Sequence, residues 1–324
     1  MRQSSTTPRK QAGGENHEGF RHEALLYSGL DGFIEGTLPF LSEAAQAEEP
    51  TLVVVSAAKI GRLRGELGRW ADRIVFADMA ELGGNPARII PAWRAFVDRH
   101  AREGRRLRGI GEPISAERSP AELVECQRHE ALLNLAFADA ADFRLLCPYD
   151  TNALDADVIA KAHHSHPVMV DGAGQRRSLT YVDRERASAP FADPLSPPPP
   201  DAYELPFAYG TLGAVRAFVA MHAAHAGLRE PRAGDLVLAV NEIATNSVRH
   251  GGGHGSVRLW SEGDAVLCDV VDRGRIAAPL AGREKPPDGQ LGGHGLWLVN
   301  QVCDLVQVRA FATHGVVRVH MRRR

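Results

Sequence analysis

The sequence contains few cysteines and no long apolar segment. Its four cysteines, Cys126, Cys147, Cys268 and Cys303, are widely separated, and none belongs to a Cys-x-x-Cys pair. Such a set predicts neither a disulfide framework nor a cysteine-based metal site. No apolar run approaches the ~20 residues that a membrane-spanning helix needs, and the polar N-terminus lacks the apolar core of a signal peptide. We therefore expect a cytoplasmic protein that makes no membrane contact.

An excess of charge of one sign is also missing. The 324 residues include 38 Lys and Arg against 40 Asp and Glu, which gives a formal net charge of −2. This balance supplies no electrostatic reason for direct nucleic-acid binding, and we interpret the terminal Arg322-Arg323-Arg324 as a solvated tail. A hydrophobic content of 44% and a charged content of 24% are typical of globular proteins, and the length predicts about two domains.

The first half of the chain lacks a phosphate-binding loop. From residue 20 to residue 164, strand and helix periodicities alternate, which predicts an α/β domain whose mostly parallel sheet is covered on both faces. The first strand-to-helix loop reads Ser28-Gly29-Leu30-Asp31-Gly32-Phe33 and has no Gly-Lys-Ser/Thr to hold phosphate and magnesium. We therefore expect no ATP binding in this half.

Three histidines near the end of this half, His163, His164 and His166, are candidates for metal binding. No carboxylate or cysteine stands at ligand spacing beside them, so we expect surface positions for these side chains.

Three further residues of this half have a chemical interpretation as well as a structural one. His129 lies in a predicted helix, but no long dimerising hairpin follows it, so packing or ligand contact is favoured over a phosphoacceptor role. Cys126 and Cys147 are expected to be close in space, which admits a redox switch. No activating motif surrounds either cysteine, so inert buried thiols are favoured.

Composition divides the chain into four parts. Residues 1–19 are rich in Gly, Ser and charge without periodicity, and we expect a disordered tail. Residues 20–184 form the first predicted domain. Residues 185–203 are a Pro-rich linker, whose Ser196-Pro197-Pro198-Pro199-Pro200 run favours an extended, semi-rigid spacer. Residues 204–324 form the second predicted domain.

Five short sequence segments in the first domain resemble the MEDS sensory domain. They are residues 23–27, 85–90, 111–113, 129–134 and 147–150. The resemblance implies a RecA-like fold and a sensing role, with an unknown small-molecule or protein signal as the ligand.

One predicted helix of the second domain, over residues 235–250, carries a chemical pattern. Its apolar residues recur at spacings of three and four, which leaves Glu242 and Asn246 one turn apart on another face. A carboxylate beside an amide oxygen offers a proton acceptor next to a ligand for a hard cation. Each residue alone is more typical of a solvated helix face.

Two motifs later in the sequence complement the pattern on this helix. Asp272-Arg273-Gly274 ends a predicted strand, and Gly292-Gly293-His294-Gly295-Leu296 leads into an apolar helix, so that glycine N–H groups can meet phosphate at a helix N-terminus. A predicted lid over residues 275–292 joins the two. The glycines alone would indicate only a flexible turn, but the three motifs together, in this order, predict a magnesium–nucleotide site.

The three motifs resemble the GHKL family of ATPases, and within it the anti-sigma-factor serine kinases. The resemblance implies an α+β Bergerat sandwich, with helices on one face of an antiparallel-rich sheet. By resemblance, Glu242 is the general base, Asn246 is the Mg²⁺ ligand, and Asp272 accepts from the adenine amino group. The remaining nucleotide-contact residues implied by the family are His250, Gly274, Gly292, Gly293, His294, Gly295 and Leu296. The family often has a second glycine where this chain has Ile276.

The two resemblances together imply a signal-responsive anti-sigma regulatory factor. It would bind ATP and Mg²⁺, sequester a sigma factor, and act as a serine/threonine kinase on a STAS-type anti-sigma antagonist. A homodimer is compatible with this interpretation. Two alternatives stay open from the sequence: a non-catalytic ATP-binding partner-switch module, and a sensor histidine kinase.

Overall fold

Two β-sheets, each with its own helices, organise the chain. The computed structural model describes residues 19–100, 104–140, 142–182, 193–276, 278–287, 289 and 293–323. The predicted disordered tail lies outside these ranges except for Gly19, and so does the linker from residue 185 to residue 192.

The first sheet has seven strands in the order β3-β2-β4-β5-β1-β6-β7. All neighbouring strands are parallel except β6 and β7, which confirms the prediction of a mostly parallel sheet. The strands are β1 Phe20–Tyr27, β2 Thr51–Val55, β3 Val75–Asp78, β4 Leu107–Gly111, β5 Phe143–Asp150, β6 Val168–Asp171 and β7 Gly174–Arg177. The pattern-based prediction missed β6 and β7.

Helices cover both faces of this sheet. They are α1 Gly29–Gln46, α2 Ala57–Leu67, α3 Met79–Leu82, α4 Ile89–His100, α5 Pro120–Ala136 and α6 Ala156–Ser165. In β2, Leu52 and Val54 join the core under α4, α5 and α6, whereas Val53 and Val55 join the core under α1 and α2. A strand buried on both faces is apolar throughout, which explains the unbroken hydrophobic run of β2.

Helix α5 buries an unusual number of polar side chains. Ser119 and Glu122 form a capping box at its start, and Pro120 occupies the first turn, so the beginning of the helix is locally encoded. Its buried polar residues are Glu122, Glu125, Arg128, His129, Glu130 and Asn134. Because buried charges require partners, this helix must contact complementary groups along its whole length.

The second sheet is antiparallel, with the strand order β11-β12-β10-β9-β8. Its strands are β8 Tyr203–Ala208, β9 His254–Glu262, β10 Ala265–Asp272, β11 Leu305–Ala310 and β12 Gly315–Arg322. Helices α7 Leu212–His225, α8 Arg232–His250 and α9 His294–Val302 share one apolar core with one face of this sheet. This layer order matches the predicted α+β arrangement.

Helix α5 also forms the contact between the two sheets. The carboxylate of Glu125 accepts hydrogen bonds from Arg309 Nη1 at 2.8 Å and Arg283 Nη2 at 3.2 Å, and Arg128 Nη1 lies 3.7 Å from it. Arg128 Nη1 also donates to the carbonyl of Val308 at 2.9 Å. Arg309 and Arg283 belong to the second half of the chain, so one buried carboxylate links both halves.

A second contact reaches the C-terminal end of α9. Asn85 Nδ2 donates to the carbonyl of Asn300 at 3.1 Å, and Arg88 donates to the carbonyls of Asn300 at 2.9 Å and Cys303 at 3.0 Å. The last carbonyls of a helix have no partner within the helix, and a cation there also interacts favourably with the helix dipole. The first domain therefore caps α9. None of the described helices is both long and apolar enough to cross a membrane.

Candidate nucleotide site

Helix α8 presents the first motif on a half-buried face. Apolar residues such as Leu236, Val240 and Ile243 are buried against the sheet, and Arg249 and His250 stand in the last turn, where positive charge favours the helix dipole. The helix begins at Arg232, three residues before the predicted start. Glu242 and Asn246 are half-buried beside the apolar face.

The first turn of α9 lies directly on these two side chains. A Cβ atom added to Gly295 would lie 3.0 Å from Asn246 Nδ2 and 3.2 Å from Glu242 Oε2, which is closer than ordinary contact. Glycine at this position therefore permits the close approach of the two helices. Within the described ranges, the side chains of Glu242 and Asn246 make no hydrogen bond. Their polar atoms are thus available to a ligand.

The second motif closes the C-terminal end of α8. Gly274 N donates to Asp272 Oδ1 at 2.6 Å, and Arg273 N donates to the carbonyl of Gly251 at 3.1 Å. A Cβ on Gly251 would lie 2.5 Å from Asp272 Cγ, and one on Gly274 would lie 2.8 Å from Gly251 Cα. The small residues thus let the carboxylate of Asp272 reach the helix end, about one turn beyond Asn246.

The third motif forms the start of α9. Gly293 occupies the N-cap position in the left-handed region, with φ of 82°, and provides no side chain to cap the first N–H groups. Such uncapped N–H groups form an anion site together with the positive end of the helix dipole. His294 is exposed, whereas Leu296 packs against the core of the second sheet. Gly292 lies outside the described residues.

The predicted sites therefore assemble into two adjoining groups. Glu242, Asn246 and Gly295 meet at the middle of α8, and Asp272 and Gly274 meet Gly251 at its end. His250 is exposed at the last turn of the helix. The carboxylates of Glu242 and Asp272 and the first turn of α9, which has no side-chain cap, lie along the C-terminal half of α8, an arrangement that suits a metal–phosphate ligand with a polar base.

The described part of the predicted lid, residues 278–287, is anchored at both sides. Asn300 Nδ2 donates to the carbonyl of Gly282 at 2.9 Å, which ties the segment to α9. Leu280 packs against the core of the first domain. Arg283 is buried beside Glu125, and burial lowers the pKa of its guanidinium to about 10. The segment therefore contacts both domains.

Interpretation of the histidines and cysteines from sequence was partly wrong. His166 was expected on the surface without a carboxylate partner, but it is fully buried and its Nε2 lies 3.2 Å from Glu130 Oε2. The partner is distant in sequence, which is why local spacing did not reveal it. His129 is buried, as expected for a packing role, and Cys126 and Cys147 are buried free thiols, also as expected.

Sequence reasoning also gave no role to the residues that join the domains. Asn85 and Arg88 lie within a segment that resembles the MEDS domain, and Glu125, Arg283 and Arg309 belong to no recognised motif. Charged side chains are mostly exposed in proteins, so their burial could be found only from their partners.

Two protein families match consecutive parts of the chain. Residues 21–167 match the family described as MEDS, the methanogen/methylotroph, DcmR sensory domain. Residues 205–322 match the family described as the histidine kinase-like ATPase domain. The second match contains α8, β10 and α9, the elements that carry the candidate site, and a histidine kinase-like ATPase domain implies ATP binding by this part of the chain. No curated protein matches the chain.

Solved structures with similar parts include two bacterial proteins. One contains the RsbU and RsbW domains of Rv1364c from Mycobacterium tuberculosis, with 20% identity over 39% of this chain and 33% of that chain, at a TM-score of 0.28. The other is the histidine kinase AdeS from Acinetobacter baumannii, with 10% identity over 37% of this chain and 67% of that chain, at a TM-score of 0.23. The match thus spans about a third of the mycobacterial chain. From the two family matches, the chain contains a MEDS sensory domain followed by a histidine kinase-like ATPase domain.

Proposed function

We propose that the chain is a signal-responsive anti-sigma regulatory factor whose second domain is a GHKL-type Bergerat ATPase. It binds ATP and Mg²⁺, sequesters a sigma factor, and phosphorylates a serine of a STAS-type antagonist. A RecA-like sensory domain receives the signal. The observation that carries the proposal is the approach of Gly295 to Glu242 and Asn246, because it unites the base, the cation ligand and the phosphate-binding turn.

Each residue of the cleft has a distinct role in this proposal. Asn246 offers its amide oxygen to Mg²⁺, which neutralises phosphate charge when bound. The N–H groups at the start of α9 hold phosphate, and Asp272 accepts from the adenine amino group. Glu242 removes the proton of the incoming serine hydroxyl. Phosphoryl transfer depends mainly on positioning and charge stabilisation, so this small set suffices.

One observation favours a second candidate, a non-catalytic ATP-binding partner-switch module. Ile276 stands where the related kinases often have a glycine, and its side chain packs against the core of the second domain. An apolar residue packed into the core at the start of the lid would limit the lid movement that catalysis requires. The sensor histidine kinase is less well supported, because the imidazole of His129 is buried.

The variant Glu242→Gln separates the two candidates. It keeps the size and polarity of the side chain but removes the base, so ATP binding by the full chain should survive. Phosphorylation of the antagonist should fall by ~10²–10⁴-fold, the usual contribution of a positioned general base. The antagonist is first captured from the native cell and identified by mass spectrometry. Transfer of labelled phosphate to it is then measured beside calorimetry with ATP.

The outcomes are distinct. A wild-type chain that binds ATP and antagonist but transfers no phosphate would identify the partner-switch module. An active wild type with an equally active Glu242→Gln variant would show that another group is the base. A wild-type chain that does not bind ATP would contradict both candidates.

A further inference from the structure

Four buried side chains converge inside the sensory domain, far from the nucleotide cleft. His22 comes from β1, Cys147 from β5, Glu130 from α5, and His166 from the C-cap of α6. Each is at most 1% exposed. One potential ligand atom from each side chain lies within 4.8 Å of the others.

Hydrogen bonds orient both imidazoles in the same way. Asn134 Nδ2 donates to the carbonyl of Ser165 at 2.7 Å, which leaves its Oδ1 to accept from His22 Nδ1 at 3.2 Å. His166 Nδ1 lies 2.9 Å from the carbonyl of Ala162, which can only accept. Both Nδ1 atoms therefore carry the proton, and both Nε2 atoms turn a lone pair inward. Hydrogen-bond acceptors around a metal site fix its histidine ligands in this manner.

The inward atoms lie very close together, and apart from the weak S–H donor of the Cys147 thiol they are acceptors. Glu130 Oε2 is 3.0 Å from His22 Nε2 and 3.2 Å from His166 Nε2, and Cys147 Sγ is 3.3 Å from His22 Nε2. Among the described residues, His166 Nε2 and Glu130 Oε1 have no hydrogen-bond partner. Crowded lone pairs of this kind repel one another, and a shared proton or a metal ion at their centre relieves the repulsion.

We propose that His22, Glu130, Cys147 and His166 bind one divalent transition-metal ion, with Zn²⁺ as the expected occupant. Bonds of 2.0–2.3 Å from zinc to nitrogen, oxygen and sulfur place tetrahedral ligands about 3.4 Å apart. The observed separations of 3.0, 3.2 and 3.3 Å lie close to that value. Two imidazoles, a thiolate and a carboxylate are also a ligand set that zinc accepts.

Charge balance supports a metal over a shared proton. On binding, the Cys147 thiol releases its proton to solvent, so the thiolate and the Glu130 carboxylate together neutralise the +2 charge of the ion. A neutral complex suits a site closed to water, where net charge is costly. Because four protein ligands complete a tetrahedron, the ion has no open position for hydrolytic chemistry. The site is therefore structural or sensory, and it does not depend on the proposed kinase function.

Cobalt titration of the full chain tests this site. The purified protein is stripped with chelator under reducing conditions and titrated with Co²⁺, then with Zn²⁺. We expect one equivalent of Co²⁺ with four-coordinate ligand-field bands and a thiolate charge-transfer band, both displaced by Zn²⁺. Cys147→Ser should abolish the charge-transfer band. Cys126→Ser is the matched control and should keep it, because Cys126 Sγ instead donates to the carbonyl of Pro113 at 3.3 Å.

A milder variant and the wild type keep the test decisive if Cys147→Ser does not fold. Asn134→Ala removes the acceptor that orients His22 and the donor to the carbonyl of Ser165 but none of the four ligands, and it should weaken metal binding by ~10–100-fold, as the loss of a group that orients a metal ligand usually does. Failure of the wild type to bind one equivalent of Co²⁺ or Zn²⁺ would overturn the proposal and leave a buried proton in its place. Retention of the charge-transfer band by folded Cys147→Ser would overturn it as well.

Discussion

At the scale of single residues, Gly295 lets α9 approach α8 closely enough to complete the cleft. A side chain there would meet both Asn246 and Glu242. The consequence is that the side-chain amide of Asn246, the proposed cation ligand, stands beside the first turn of α9, the proposed phosphate site.

The variant Asn246→Ala should therefore lose the magnesium dependence of ATP binding. The amide is the cation ligand in our proposal, and alanine supplies no oxygen. Calorimetry with ATP, with and without Mg²⁺, measures the effect. The matched control is Asn241→Ala, because Asn241 Oδ1 accepts from Arg216 at 3.0 Å and lies away from the cleft. Equal magnesium dependence in wild type and Asn246→Ala would show that the amide does not bind the cation.

At the scale of elements, α5 connects the two parts of the molecule. Its Glu130 and Asn134 belong to the buried cluster of the sensory domain, and its Glu125 holds Arg283 and Arg309 of the ATPase half. Arg283 lies in the segment between the second and third nucleotide motifs. A change in the position of α5 would therefore reach the edge of the cleft through a single buried ion cluster.

The variant Glu125→Gln tests the strength of this connection. It removes the negative charge while Arg309 and Arg283 remain buried, and breaking one side of a buried ion pair costs about 3–5 kcal/mol. We expect the free energy of unfolding of the full chain to fall by that amount in denaturant titration. Glu117→Gln, at an exposed position of the preceding loop, is the control. A loss no larger than that of the control would mean that water or other groups replace the carboxylate.

Helix α9 receives contacts at both ends. Its N-terminus forms the predicted phosphate turn, and its C-terminal carbonyls accept from Asn85 and Arg88 of the sensory domain. The cap and the ligand site thus share one short, rigid element. Consequently, the helix that the nucleotide would contact also contacts the sensory domain.

At the scale of the whole molecule, a cavity of about 490 Å³ lies between the domains and is lined by both polar and apolar residues, His320 among them. The pKa of His320 is lowered from 6.5 to about 4, mainly by burial and in addition by the nearby Arg318 and Arg322, whereas Glu122 acts in the opposite direction. His320 Nε2 lies 3.0 Å from Gln307 Oε1, an acceptor that the neutral imidazole satisfies. The folded chain therefore holds this histidine uncharged.

Stability should consequently fall as the pH decreases from about 6.5 to about 4. In that interval the unfolded chain binds a proton at His320 and the folded chain does not, so acid favours unfolding by up to about 1.4 kcal/mol per pH unit. Above pH 6.5 the contribution is fully present. His320→Asn should show a shallower slope in denaturant unfolding across this interval. Identical slopes in wild type and variant would contradict the assignment, since the other titrating groups cancel in the difference.

Several features of this protein were determined by the sequence alone. The apolar run of β2 and the alternation around it predict a parallel sheet with two covered faces, because side-chain periodicity is a local property. The four-residue spacing of Glu242 and Asn246 is also a local property, because it places both side chains on one face of a single helix. Two other strands were missed for different reasons: β7 is exposed and has no apolar residue, whereas β8 alternates Tyr203, Leu205 and Phe207 but contains Pro206 and begins at the end of the predicted linker.

The tertiary structure alone decided which polar residues are buried and with what. His22, Glu130, Cys147 and His166 come from four elements that meet only when the parallel sheet and its helices are assembled. Glu125 likewise finds Arg283 and Arg309 across the boundary between two domains. A polar side chain is buried when a distant partner compensates the loss of water, so its position depends on the packing of the whole chain and not on its neighbours in sequence.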